Sequence, residues 1–151
     1  MHVITNHTYI HAMFCTKNCR RLILPEYEKK LWKSITEFGS RNASPVSSVG
    51  GTSDHVHIVI TPLPSKTIDS LIKEIKEYTK RFMNNAFYSD NRAFDWQVGY
   101  GAFSTCRSNL TKLANYIDNQ KILHESMTYE EEFIRILERN GVEYDKNELL
   151  D

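Results

Sequence analysis

The chain has 151 residues, 40% of them hydrophobic and 25% charged, with 19 Lys and Arg balanced by 19 Asp and Glu. That length suits one domain, residues 1–151, and a net charge of zero gives by itself no support to a nucleic-acid partner. No apolar run approaches the roughly 18 residues of a membrane span, and the opening "MHVITNHTYIHAMF" lacks the basic start and apolar core of a signal peptide.

The first predicted element is a strand over "HTYIHAMFCT", which alternates and is rich in aromatic and β-branched residues. "LPEYEKKLWKSITEFGSR" follows as a helix, because Leu31, Ile35 and Phe38 recur at helical spacing. "PVSSVGGTSDHVHIVITP" predicts two short strands joined by the turn-rich "GGTSD". "SKTIDSLIKEIKEYTKRFMNN" carries the clearest helical pattern, with Ile68, Leu71, Ile72, Ile75, Tyr78 and Phe82 on one stripe and Lys73, Lys76, Lys80 and Arg81 off it. "FDWQVGYGAFSTC" predicts a further strand, its glycines marking a bulge or a close backbone approach. "SNLTKLANYIDNQKILHE" predicts one helix buried along Leu110, Leu113, Ala114 and Ile117. A last helix starts at Thr128, where "TYEE" offers a capping box, and ends near Gly141.

The first six elements run β-α-β-β-α-β, the order of a ferredoxin-like split βαβ sandwich, an α+β fold with an antiparallel sheet and helices on one face, here extended by C-terminal helices. Such a sheet leaves its other face open for a site or a partner. Cys15, Cys19 and Cys106 are an odd number for a chain this large and read as the reduced thiols of a cytoplasmic protein. Charge is unevenly placed: residues 1–81 hold 12 Lys and Arg against 7 Asp and Glu, and the remainder reverses the balance. A chain divided in this way can present a basic face, although most surface charge merely solvates.

"SDHVHIVITP" places His55 and His57 two positions apart in a run of β-branched residues. Side chains at i and i+2 of a strand share a face, so the two imidazoles stand together while Val56 and Ile58 turn toward the core. Two imidazoles at that spacing suit one divalent ion, but two ligands rarely suffice. A pair of histidines facing water or a neighbouring strand is the plainer alternative. Lys112, Tyr116, Gln120 and His124 recur every four residues beside the Leu113/Ile117 stripe, so Gln120 can offer a carbonyl oxygen and Tyr116 a phenol. On helix pattern alone, an amphipathic helix with those groups turned to water is the favoured reading.

Taken together, "DHVHIVITP", "WQVGYGAFS" and "YIDNQ…H" resemble the single-tyrosine HUH transposases of small insertion sequences, the TnpA type that includes the REP-associated tyrosine transposases. The resemblance runs from about His11 to "GVEYD" at 142–145. It implies that His55 and His57 are metal ligands, Gln120 the third ligand, and Tyr116 the nucleophile. It implies a divalent Mg²⁺ or Mn²⁺ cofactor, with single-stranded DNA cleaved and rejoined through a 5′-phosphotyrosine at hairpin-flanked ends. Members act as homodimers whose active sites can be shared between subunits. Where the family often has two consecutive histidines after the glutamine, Leu123 precedes His124, which leaves His124 without an assigned role. Asp54, before the pair, points away from His55 if it continues the strand, and reads as a turn residue. Lys17, Arg20 and Arg21 and the Lys73/Lys76/Lys80 face are the expected phosphate contacts. Two other readings compete: a domesticated hairpin-binding protein without strand transfer, and a ferredoxin-like RNA binder with aromatics on its central strands.

Overall fold

The computed structural model describes residues 7–149. Strand β1 (Tyr9–Cys15) leads through a short 3-10 turn to α1 (Pro25–Arg41), β2 (Val46–Gly51), β3 (His55–Ile60) and α2 (Ile68–Phe87). Then come β4 (Gly101–Thr105), α3 (Leu110–Asp118), α4 (Gln120–Leu123) and α5 (Tyr129–Arg139). The strands form one antiparallel sheet in the order β2-β3-β1-β4, the expected split βαβ arrangement. No helix among the described residues is long and apolar enough to cross a membrane. Cys15, Cys19 and Cys106 are free thiols.

Every residue of β3 is buried, because the central strand is covered on both sides. Its Val56, Ile58 and Ile60 join Ile10, Ala12 and Phe14 of β1 against Leu31 and Ile35 of α1 and Leu71, Ile72 and Ile75 of α2. The opposite face is not open, as the sandwich pattern had suggested. Leu113 and Ile117 of α3 pack there on Val59, and Tyr129, Phe133, Ile136 and Leu137 of α5 pack on Met13 and Cys15. The C-terminal helices therefore form a second layer, and the histidine pair lies sealed beneath it.

Two elements differ from the sequence pattern. Only the second half of "FDWQVGYGAFSTC" is a strand; before it, Trp96 makes a single bridge with Thr16. The Lys76 ammonium donates to the carbonyls of Gln97, Val98 and Gly99 at 2.7, 3.0 and 2.7 Å, which holds those carbonyls out of a ladder. The helix expected over residues 108–125 breaks at Asn119, whose side-chain amide donates to the Asn115 carbonyl at 2.8 Å. Asp118 and Asn119 are weak helix formers that favour such local bonds. Thr128 and Glu131 make the predicted capping box of α5, and Gly141, past its end, takes φ +65°.

The fit of α3 against the sheet depends on Gly50, which pairs with His57 in the ladder. A Cβ there would lie 2.8 Å from Ile117 Cγ2 and 2.9 Å from the Ile117 carbonyl oxygen. Because that oxygen belongs to the backbone, only a shift of α3 relieves the clash. Gly50→Ala should destabilise the fold by about 1–3 kcal/mol and displace the residue beside Ile117, Tyr116. Urea denaturation measures the first effect, and a midpoint equal to wild type would contradict the close packing.

Candidate active site

Strand β3 delivers His55 and His57 to the buried space between the sheet and the C-terminal layer, where both are 0% exposed. The turn before β3 fixes the first ring. Asp54 precedes the strand rather than continuing it, so its side chain turns back, and its Oδ1 accepts from His55 Nδ1 at 2.6 Å. Thr52 Oγ1 donates to the same oxygen at 2.9 Å. Asp54 is thus a partner of His55, which corrects the pure turn role expected for it. The carboxylate–imidazole bond leaves His55 Nε2 directed inward, as where a carboxylate behind a metal-binding histidine fixes its ring.

There His55 Nε2 meets Gln120 Oε1 at 2.7 Å. The Gln120 amide nitrogen donates to Glu132 Oε2 at 2.8 Å, which fixes the amide orientation. With Asp54 holding the proton of Nδ1, two lone pairs face each other, an arrangement that a proton or a metal cation between them resolves. His57 Nε2 lies 2.9 Å from Glu132 Oε1, and His55 Nε2 lies 3.7 Å from it. The spacing of ligands around a six-coordinate ion with bonds near 2.1 Å is about 3 Å. These four donors, two imidazoles and two oxygens, therefore suit a hard or borderline divalent ion better than a thiolate-seeking one. Among the described residues, His55, His57 and Glu132 form a group able to hold such an ion, with donor atoms all within 4.8 Å of one another.

Glu132 is the central residue that the sequence reading missed. It is 0% exposed on α5, and Tyr116 donates its hydroxyl to Oε2 while His124 Nε2 approaches Oε1 at 3.0 Å. One signal was available: Glu132 lies on the stripe of Tyr129, Phe133 and Ile136, where a carboxylate interrupts apolar residues. A buried carboxylate in such a stripe requires partners. His11 was missed too. It shares a face of β1 with Met13 and Cys15, and its Nε2 lies 2.8 Å from His57 Nδ1. His124, without a role in the sequence, is anchored through Nδ1 to the Met127 carbonyl at 2.7 Å and faces Glu132.

The electrostatics follow from these contacts. Burial opposes ionisation of Glu132, but bonds from His124 and His57 outweigh it and hold the carboxyl far below its usual range. Burial pushes the Tyr116 phenol well above its ordinary value, and the hydrogen bond to Glu132 adds to the shift. Burial lowers His57, with Glu132 opposing, and lowers His11 to about 3, with His57 adding to the effect.

The expected DNA contacts separate. Lys17, Arg20 and Arg21 are exposed and form no ion pair among the described residues. Lys73 pairs with Asp69 at 2.7 Å and Lys80 with Asp95 at 3.1 Å. Lys76 is buried and committed to three carbonyls, so it does not belong to an exposed basic face.

The family model described as "Transposase IS200 like" matches residues 4–120. Among solved structures, a Deinococcus radiodurans R1 protein described as a transposase is similar, at 19% identity and a TM-score of 0.61 over 80% of this chain and 95% of that one. A REP-associated tyrosine transposase bound to a REP hairpin is similar at 16% identity and a TM-score of 0.57, over 82% of this chain and 72% of that one. At those identities the likeness concerns the fold. No curated protein is similar enough in sequence to count as a relative.

The buried charges predict how acid acts on the fold. His11 and His57 are held below their ordinary 6.5, so as pH falls past 6.5 the unfolded chain takes up protons that the folded chain refuses. Glu132 is held below its ordinary 4.5, so its contribution is present above 4.5 and is lost as pH falls below it. Glu132→Gln should therefore unfold at a lower temperature than wild type at pH 7, with the gap narrowing below about pH 4.5. Thermal denaturation from pH 7 to pH 3 reads this; a constant gap would show that Glu132 is not held ionised.

Proposed function

The chain belongs to the IS200-like transposase family, and we propose that it cleaves and rejoins single-stranded DNA beside hairpins through a tyrosine-linked intermediate. The observation that carries the reading is the convergence of Tyr116, Gln120, His55 and His57 on one buried centre. The likeness in fold to a transposase holding a REP hairpin supports hairpin DNA as the substrate.

The residues divide the work. His55, His57 and Gln120, with Glu132 beside them, would hold a divalent ion, Mg²⁺ or Mn²⁺, which when bound supplies Lewis-acid charge at the scissile phosphate. Asp54 and His11 orient the two imidazoles from behind. Tyr116 is the nucleophile: its oxygen bonds to phosphorus, the P–O3′ bond breaks, the phenolic proton leaves and the 3′-oxygen takes one up. The product is a 5′-phosphotyrosine and a free 3′-hydroxyl. Attack by another 3′-hydroxyl reverses the step and joins strands without an external energy source. At rest the phenol is protonated, since burial and Glu132 both favour its neutral form. Lys17, Arg20 and Arg21 are proposed to contact the DNA backbone, with Lys73 and Lys80 as further cations that must first exchange their acidic partners.

Tyr116 reaches Glu132 of its own chain, and its ring centre lies 5.9 Å from that of His57. A homodimer is therefore not needed to assemble the site, and sharing between subunits is not part of the proposal.

Tyr116→Phe removes one oxygen and should keep the fold and DNA binding yet yield no covalent product. Wild type incubated with Mn²⁺ and labelled single-stranded hairpin DNA should carry the 3′ fragment on a peptide containing Tyr116, as read by intact mass spectrometry. An adduct on Tyr100 or Tyr78 would overturn the assignment of the nucleophile. DNA bound tightly by wild type without any adduct would favour a hairpin-binding protein. Mixing Tyr116→Phe with His57→Ala should restore no cleavage, because each variant breaks its own site; recovered cleavage would mean that subunits exchange α3.

A further inference from the structure

Two cavities flank the buried cluster. One, of about 420 Å³, lies on the Asp54 and His124 side and is lined also by Arg21, Glu28, Lys121 and Tyr129. The other, of about 260 Å³, is lined by Tyr116 itself, with His11, Asn109, Lys112, Arg139 and Asn140 around it. Charge distinguishes them. The first holds the Asp54 carboxylate, and its Lys121 is paired to Glu28 at 2.9 Å. The second has no acidic residue in its lining, and neither Lys112 nor Arg139 forms an ion pair among the described residues. In the first, Arg21, which forms no ion pair among the described residues, is offset by Asp54, whereas the second presents an anion with two cations and no carboxylate in its lining.

We propose that the Tyr116 cavity is a phosphate subsite in which Arg139 and Lys112 bind the scissile phosphodiester of the DNA strand. The inference rests on the strand-transfer reading above and names the groups that would place its substrate. Lys112 lies one helical turn before Tyr116 on α3, and Arg139 comes from the last turn of α5, so two helices bring cations to the cavity that the phenol lines. A guanidinium fork matches the two non-bridging oxygens of a phosphodiester, and the lysine adds a point charge. Cations on those oxygens leave the line from nucleophile through phosphorus to the leaving 3′-oxygen clear. Residue 139 lies beyond the 4–120 segment matched by the family model, so this cation is supplied by the chain's own C-terminal layer.

The test uses the full chain with ring-¹³C-labelled tyrosine and a thymidine hexanucleotide as probe. In wild type the Tyr116 ring signals should move on titration, with an affinity that falls as salt rises. Arg139→Ala combined with Lys112→Ala should weaken that affinity by about tenfold or more and lower the salt slope by about 1.4. Both side chains are exposed, and circular dichroism checks that the fold is kept. Arg139→Lys should fall between, because charge is kept and the fork lost. No movement at Tyr116 in wild type, or equal affinity in the double variant, would overturn the subsite. Adduct formation separates the two readings. If the hexanucleotide behaves as expected but no hairpin substrate gives a Tyr116 adduct, strand transfer fails and the subsite stands. If the double variant forms adduct at the wild-type rate, strand transfer stands and the subsite fails.

Discussion

A carboxylate buried without partners is strongly unfavourable, and this chain places one, Glu132, at the centre of its second core. The rest of the site is arranged around that constraint. His57, His124, Gln120 and Tyr116 all turn toward its two oxygens, and they come from β3, α3, α4 and the segment that follows α4. No described buried side-chain nitrogen or oxygen lacks a hydrogen-bond partner. A network this complete fixes the relative positions of elements that apolar packing alone would allow to slide. It also sets the electrostatics, since the same carboxylate holds the phenol neutral and raises His124 against the effect of burial.

The apolar parts of the molecule support that arrangement from two sides. One core, around Phe14, Ile58 and Ile75, fastens α1 and α2 to the sheet and makes β3 a rigid platform. The other two clusters, on Val59 and on Met13, seat α3 and α5 and exclude water from the histidines. The bare Gly50 lets α3 approach closely enough to bring the phenol to the imidazoles. The phenol is half covered by the helices that position it, and it lines the cavity between α3 and α5. The break at Asn119 separates the tyrosine from the glutamine and gives α3 and α4 separate orientations.

Charge is distributed to the same end. The exposed cations near the end of β1 form no ion pair among the described residues, whereas those of α2 are held by Asp69, by Asp95, by Glu77 or by carbonyls. Acidic residues concentrate in the C-terminal part of the chain, yet the cavity beside Tyr116 has none in its lining. A net charge of zero therefore conceals local fields of both signs, and position rather than total charge decides where an anionic strand can approach.

The sequence by itself determined the sheet, the split βαβ order and the shared face of His55 and His57. These depend on period-2 and period-3.6 patterns and on turn residues, all of which are local. Tyr116 and Gln120 were legible because one helical turn separates them, and that spacing survives the break at Asn119. What the sequence did not determine was set by contacts between distant residues. Asp54 looked like a turn residue until the strand was seen to begin after it. Lys76 looked like surface charge because its helix position gives no hint of carbonyls more than twenty residues away. Glu132 lies 75 residues from His57, and only the folding of α5 over the sheet brings them together. Local periodicity can assign a side chain to a face, but which groups share a buried space is decided by how the layers close, and the charge state of each follows from that closure.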